Sequence, residues 1–167
     1  MISELADFGF GPQARNRLSD ATDPGHSGVI AALETFYYAL NNADLKILAS
    51  TWSPNPLAQL NNPLGGVLRS GEAVAELYGR IFAGNLDVQV TFTDAASYKW
   101  PGVAVFAGRE VGSYRDPSGQ LIPLKIRTTR IFGFDQGPGR WLQIHHHGSI
   151  EEPEALRAYQ QAAASPR

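Results

Sequence analysis

Gly84-Asn85-Leu86-Asp87-Val88-Gln89-Val90-Thr91-Phe92-Thr93 is where this chain changes period. Leu86, Val88, Val90 and Phe92 alternate with Asp87, Gln89, Thr91 and Thr93, the two-residue repeat of a half-buried strand. Before Gly84 apolar residues recur at three and four residues, and after it they recur at two. Helices followed by strands is a segregated α+β pattern.

On the N-terminal side, Val29, Ile30, Leu33, Phe36, Tyr37 and Leu40 form a broad helical stripe, with Ser27 in place to cap the helix. Asn41-Asn42 ends it. Asp44 lies in the first turn of a shorter helix carrying Leu45, Leu48, Ala49 and Trp52, so the two make a hairpin. Ser53 to Gly66 is loop with room for one short strand. Ser70 caps a third helix from Gly71 to about Phe82, with Val74, Leu77, Tyr78, Ile81 and Phe82 on its buried side. Residues 1–25, broken by Gly9, Gly11, Pro12, Pro24 and Gly25, read as an irregular arm with a helical turn near Gln13 to Leu18. That arm either extends into solvent or lies across a neighbouring subunit.

On the C-terminal side, Val103 to Tyr114, Leu121 to Phe134 and Trp141 to Ser149 are further strands. Asp116-Pro117-Ser118-Gly119 and Asp135-Gln136-Gly137-Pro138-Gly139 are the turns between them. Sheet strands this long, covered on one face by helices, must curl, and a curled sheet around helices encloses a pocket. The expected fold is a cone-shaped antiparallel sheet around an N-terminal helical hairpin and a third helix. The expected division is an arm (1–25), the α+β unit (26–152), and a C-terminal helix from about Pro153 to Ala164 with a frayed tail (153–167).

Composition narrows the function. A chain of 167 residues suits one domain with its own core. Net charge is -2 with no Lys/Arg cluster, which argues against nucleic-acid binding. No run is long and apolar enough to span a bilayer, and Glu4 and Asp7 interrupt any signal-like block, so a cytoplasmic location is expected. The absence of cysteine rules out thiol catalysis, disulfides and thiolate metal sites. No nucleophile elbow, phosphate loop or His-Glu-x-x-His motif is present, and no cofactor is expected.

The last strand, Trp141-Leu142-Gln143-Ile144-His145-His146-His147-Gly148-Ser149, is richest in chemistry. Strict alternation puts Leu142, Ile144, His146 and Gly148 on the core side, and Trp141, Gln143, His145 and His147 outside. His146 then projects into the pocket as a candidate acid/base. Only His145 and His147 share a face for a metal, and no third ligand is specified, so no metal site is expected. On the strand before it, Thr128, Arg130 and Phe132 share a face. Arg130 either binds an anion through its planar fork or pairs with a buried acid. Among the amphipathic aromatics, Trp52, Tyr78 and Tyr38 are the expected ligand contacts beside Arg130 and His146.

With Thr129-Arg130-Ile131-Phe132, a Gly-containing turn and Trp141 to Ser149, the chain resembles the SnoaL-like branch of the nuclear-transport-factor-two superfamily. It is similar in particular to the association (hub) domain of calcium/calmodulin-dependent protein kinase and its stand-alone bacterial relatives. That family reads T-R-x-aromatic, turn, G-x-W-x-x-V-H-x-H-x-S at this place. Phe36-Tyr37, Asn42-x-Asp44 and Gly71 also match. The resemblance implies a cone-shaped fold, a homodimer through the outer face of the sheet, and a pocket between sheet and helices. The hub pocket is basic and takes small carboxylates. Here Arg130 matches one pocket arginine, while the others fall on Gly148 and near Glu110, and the pocket histidine falls near Ala75. Superfamily enzymes use buried aspartates, which Asp87 and Asp94 do not match in position.

Two functions follow. One is a small-molecule-binding protein, a homodimer holding an apolar or weakly acidic ligand beside Arg130 and His146. The other is a cofactor-independent isomerase, cyclase, dehydratase or hydrolase, with His146 as acid/base beside a Tyr or Asp partner and Arg130 stabilising an oxyanion. A third, structural reading makes the outer face the functional surface.

Overall fold

A helix expected to show one apolar stripe is instead buried nearly all round. In the computed structural model, which describes residues 1–4, 9–84 and 86–164, helix α1 (His26–Asn41) buries every residue from Gly28 to Asn41 except Tyr38. A helix this buried must be wrapped by the sheet rather than laid upon it. Its cap is Gly25, not Ser27. The Ser27 hydroxyl is drawn back to the Asp23 carboxylate, which also accepts from the Gly25 amide. Gly28 is required because the Asp23 carbonyl oxygen lies only 1.8 Å from where a Cβ would stand.

Helix α2 (Leu45–Thr51) follows after Ala43, whose φ of 51° makes the tight link. Asp44 is its cap rather than part of its first turn, accepting from the Ile47 amide at 3.0 Å. The loop that follows holds β2 (Gln59–Asn61), and β3 (Leu68–Arg69) lies just beyond it. Ser70 caps α3 (Gly71–Ala83) through the Ala73 amide at 3.2 Å.

The four long strands are β4 (Gln89–Trp100), β5 (Val103–Arg115), β6 (Leu121–Asp135) and β7 (Arg140–Ser149). The strand expected from Leu86 begins three residues later, because Asp87 sits at φ 41°, outside strand geometry. A C-terminal helix, α4 (Pro153–Ala164), closes the described chain. The tail beyond it lies outside the described residues.

The sheet has seven strands, because residues 2–4 form a strand, β1 (Ile2–Glu4), on the outer edge of β4. The order is β1-β4-β5-β6-β7-β2-β3, antiparallel except where β2 runs parallel to β7. The arm therefore lies on its own cone. Phe10 bridges Phe92, Arg15 and Arg17 pair with the buried Glu34, and Ala14 and Ala21 are buried. The helical turn expected at Gln13 to Leu18 falls instead at Asp20–Thr22, as a single 3₁₀ turn. Residues 5–8 of the arm lie outside the described residues.

Two bulges bend the sheet. In β4 the register shifts between Thr93 and Ala96, around Asp94 at φ 51°. In β7, Ile131 pairs with His145 but Phe132 pairs with Gln143, so Ile144 is the extra residue. One added residue inverts everything before it. Trp141 and Gln143 are therefore buried on the inner face with His146 and Gly148, while Leu142 and Ile144 share the outer face with His145 and His147. The strict alternation expected for this strand is thus corrected for Trp141, Leu142, Gln143 and Ile144. Trp141 does not stand beside the outer histidines: its Nε1 donates to the Asp23 carbonyl at 2.9 Å and its ring meets Phe134 edge-on.

Candidate functional site

Position 130 on β6 faces inward opposite His146 on β7. Its guanidinium lies 3.7 Å from the centroid of the Phe36 ring on α1. Around it Nη2 donates to Glu110 Oε1 at 2.6 Å, Nε to the Tyr37 hydroxyl at 2.9 Å and Nη1 to Gln143 Oε1 at 3.0 Å. Tyr37 in turn donates to the same Glu110 oxygen at 2.8 Å. Of the two roles open to Arg130, pairing with a buried acid is the one its contacts fill. The arrangement meets the requirement that buried charges be paired and hydrogen-bonded.

His146 adjoins this cluster. Its Nε2 lies 3.1 Å from Thr128 Oγ1, and its Nδ1 is buried with no partner among the described residues. Burial, then the positive charge of Arg130 and the two neighbouring histidines, holds its pKa well below the usual imidazole value, so the ring is neutral near pH 7. Burial alone lowers the pKa of Arg130, but Tyr37, Glu110 and Tyr78 outweigh it and hold the group above its ordinary value. Burial raises the Tyr78 hydroxyl to about 12. The cluster therefore holds a cation and an anion that cancel, a neutral imidazole and protonated phenols.

These groups surround a cavity of about 40 Å³ lined by Glu110, Arg130, His146, Tyr78 and Tyr159, with Leu40, Val90 and Ile126 among its apolar walls. That volume suits about one water molecule. Three expected site residues, Arg130, His146 and Tyr78, meet here. Trp52 and Tyr38 do not: Trp52 is buried beside β7 through a bridge to Gln143, and Tyr38 is half-buried on the one partly exposed face of α1. Glu110 and Tyr159 join the site without having been expected as its groups. Glu110 was legible as an acid between apolar residues on the inward repeat of β5, with Phe106 and Tyr114. Tyr159 shares a side of α4 with Leu156, Ala162 and Ala163, a stripe that marks a buried side without saying that it reaches this cavity. Among the described residues no group of three or more metal-ligating side chains gathers.

A curled, mostly antiparallel sheet closed around a buried helix, with a polar cluster inside, makes this an α+β cone. The chain belongs to the SnoaL-like domain family, whose sequence profile matches residues 29–152. No curated protein matches it. Among solved structures it is similar to a candidate dehydratase of the nuclear transport factor 2-like family from Streptomyces avermitilis. The two share 23% identity over 74% of this chain and 94% of that one, with a TM-score of 0.66. A candidate calcium/calmodulin-dependent protein kinase II association domain from Xanthomonas campestris gives 22% identity, 78% and 90% coverage, and a TM-score of 0.64. A ketosteroid isomerase-like protein from Erwinia carotovora atroseptica gives 16%, 75% and 95%, and 0.63. At these identities the likeness is one of fold. Among the described residues no helix is long and apolar enough to cross a membrane.

Proposed function

We propose that the interior of the cone binds a small organic molecule against the Arg130–Glu110–His146 cluster. The observation that carries this reading is the unpartnered Nδ1 of His146, buried beside a cavity that already holds an ion pair and phenolic groups. Gln143 Nε2 is buried without a partner among the described residues as well. A purely structural cluster has no use for such atoms, since each orphaned polar group costs about 1–3 kcal/mol. Because Glu110 neutralises Arg130, the site is not the basic, carboxylate-binding pocket that the hub-domain resemblance implies.

The test is native mass spectrometry of the purified protein, followed by thermal-shift screening against small uncharged and charged metabolites. A co-purifying mass, or a compound that raises Tm in the wild type but not in His146→Leu, supports binding. No bound mass and no stabilising compound overturns it.

A second reading is favoured by one observation. Glu110 places a carboxylate on the same cavity as a neutral imidazole, the pairing of groups that acid–base catalysis needs. A bound compound that is converted by the wild type, and bound but not converted by His146→Gln, would make the protein an enzyme of the isomerase or dehydratase type.

We also propose a homodimer through the outer face of the sheet. Ile2, Tyr98, Val105, Ile131, His145 and Gln59 form one cross-strand row over that face. Trp100 and Val103 stand exposed beside it. The relatives that are association domains lend the same reading support.

A further inference from the structure

Helix α4 reaches the interior through one side chain. Tyr159 is its only buried residue, with Leu156, Gln160, Ala162 and Ala163 half-buried and the rest in solvent. The Tyr159 ring meets Tyr114 edge-on, with centroids 5.1 Å apart, and lines the same cavity as Glu110, Arg130, His146 and Tyr78. At the rim Gln160 Nε2 donates to the Pro63 carbonyl at 2.9 Å. A crevice of about 370 Å³ runs between Ala155 and Ala158 of the helix and Tyr114, Ile122 and Leu124 of the sheet. The helix bridges the sheet there instead of packing onto it.

A cavity of about 40 Å³ admits no organic ligand while Tyr159 is in place. Something must leave, and the other walls are α1, α3, the long strands, which carry the core, and Asn62-Pro63 of the loop after β2, to whose Pro63 carbonyl α4 is itself tied. Of the three helices that wall the cavity, α4 buries the fewest residues, Tyr159 alone. We propose that Tyr159 is a built-in occupant of the ligand seat, that α4 swings out to admit the ligand, and that the ligand is an uncharged ring compound bearing a hydroxyl, with the size and chemistry of a phenol. This rests on the reading of the interior as a binding site.

Two features set the ligand's chemistry. The seat vacated by Tyr159 has apolar walls from Leu40, Ile81, Val88 and Ile126 and polar groups from Glu110, Tyr78 and His146, so it fits a flat apolar body with one polar tip. The Glu110–Arg130 pair is internally neutral, so a charge brought in by the ligand would be desolvated with no counter-ion left to meet it. The neutral state of His146 agrees with this.

The test is calorimetric titration of phenol, benzoate and benzylammonium into the wild type, Tyr159→Ala and Tyr159→Phe. Phenol should bind Tyr159→Ala at least tenfold more tightly than either the wild type or Tyr159→Phe, which keeps the ring. On Tyr159→Ala the two charged probes should bind at least tenfold more weakly than phenol. Equal phenol affinity in wild type and Tyr159→Ala overturns the plug. Equal binding of all three probes overturns the choice of an uncharged ligand but leaves the interior a binding site. No binding of any probe to a folded Tyr159→Ala overturns the binding reading itself. Should Tyr159→Ala fail to fold, amide exchange in the wild type decides the question. Saturating phenol should speed exchange in α4 and leave β5 and β6 unchanged, and unchanged protection in α4 overturns the proposal.

Discussion

Arg130 and Glu110 meet at 2.6 Å with side chains only 1% and 4% exposed, so among the described residues each is the other's counter-charge inside the cone. Two neighbours complete the shell, Tyr37 bonding both members and Gln143 taking a second guanidinium nitrogen. The pair thus fixes the mutual placement of α1, β5, β6 and β7 around the cavity.

Removing one charge leaves the other buried and alone. Glu110→Gln is expected to cost about 3–5 kcal/mol of stability, the range for breaking a buried ion pair. Glu110→Leu combined with Arg130→Met should cost much less than the sum of the two single changes, since neither charge then remains. Urea denaturation of the wild type, Glu110→Leu, Arg130→Met and the double variant measures the coupling directly, and Glu110→Gln beside them gives the single-charge cost. Additive single and double effects would show that the pair is not coupled.

His146 sets a stability window in pH. Its folded pKa is depressed well below 6.5 while the unfolded chain keeps the ordinary value, so below about pH 6.5 the unfolded state binds the extra proton. Stability should therefore fall on acidification from pH 7, by up to about 1.4 kcal/mol per pH unit, until the folded pKa is reached. His145, less buried and shifted the same way by burial and His147, adds a smaller share over the same window. Asp23 and Asp116, both lowered by hydrogen bonds to their carboxylates, act only below it. In His146→Gln the slope between pH 6.5 and 5 should shrink to the small share left by His145. An unchanged slope would mean that His146 is not held neutral.

The fold was legible because its signals are long. The change from helical to strand period at Gly84 and the two Pro/Gly turns at 116–119 and 135–139 set out α1, α3 and the hairpins of the sheet. The inward direction of Arg130 followed from simple alternation on β6, a strand without a bulge of its own. His146 was placed inward from its aliphatic neighbours, yet Leu142 and Ile144 face outward, and the bulge at Ile144 restores the phase only at His146. A bulge is set by pairing with β6, and no local pattern marks it. β1 and the docked arm escaped for a related reason: three residues added to a sheet edge, and arginines reaching Glu34, are tertiary facts. Tyr159 escaped because the stripe of Leu156, Tyr159, Ala162 and Ala163 marks a buried side of α4 but not which part of the cone it covers.

Trp141 fixes the arm to the cone. Its indole Nε1–H donates to the Asp23 carbonyl across 2.9 Å, and that same carbonyl lies against Gly28 at the start of α1. Trp141→Phe keeps an aromatic ring for Phe134 but removes the bond, at an expected cost of about 1 kcal/mol. Limited proteolysis within residues 9–25 should then speed up relative to sites in the sheet. Equal acceleration everywhere would assign the loss to the core rather than to the arm.

The outer-face dimer is tested where one chain's own folding is least involved. Ile131 lies at the centre of the cross-strand row, between Val105 and His145, and is only half-buried in the single chain. Ile131→Glu should therefore leave the folded chain nearly as stable as before, since surface substitutions usually stay within about 0.5 kcal/mol. In a dimer the same carboxylate would be desolvated without a partner at a two-fold contact and would face its own copy. Sedimentation equilibrium should give a dimer for the wild type and a monomer for Ile131→Glu, with circular dichroism unchanged. Lys125→Glu, on the outer face but toward the far end of β6, serves as the control and should stay dimeric. A wild-type monomer removes the interface outright. A dimer that survives Ile131→Glu places the contact on a surface other than this row.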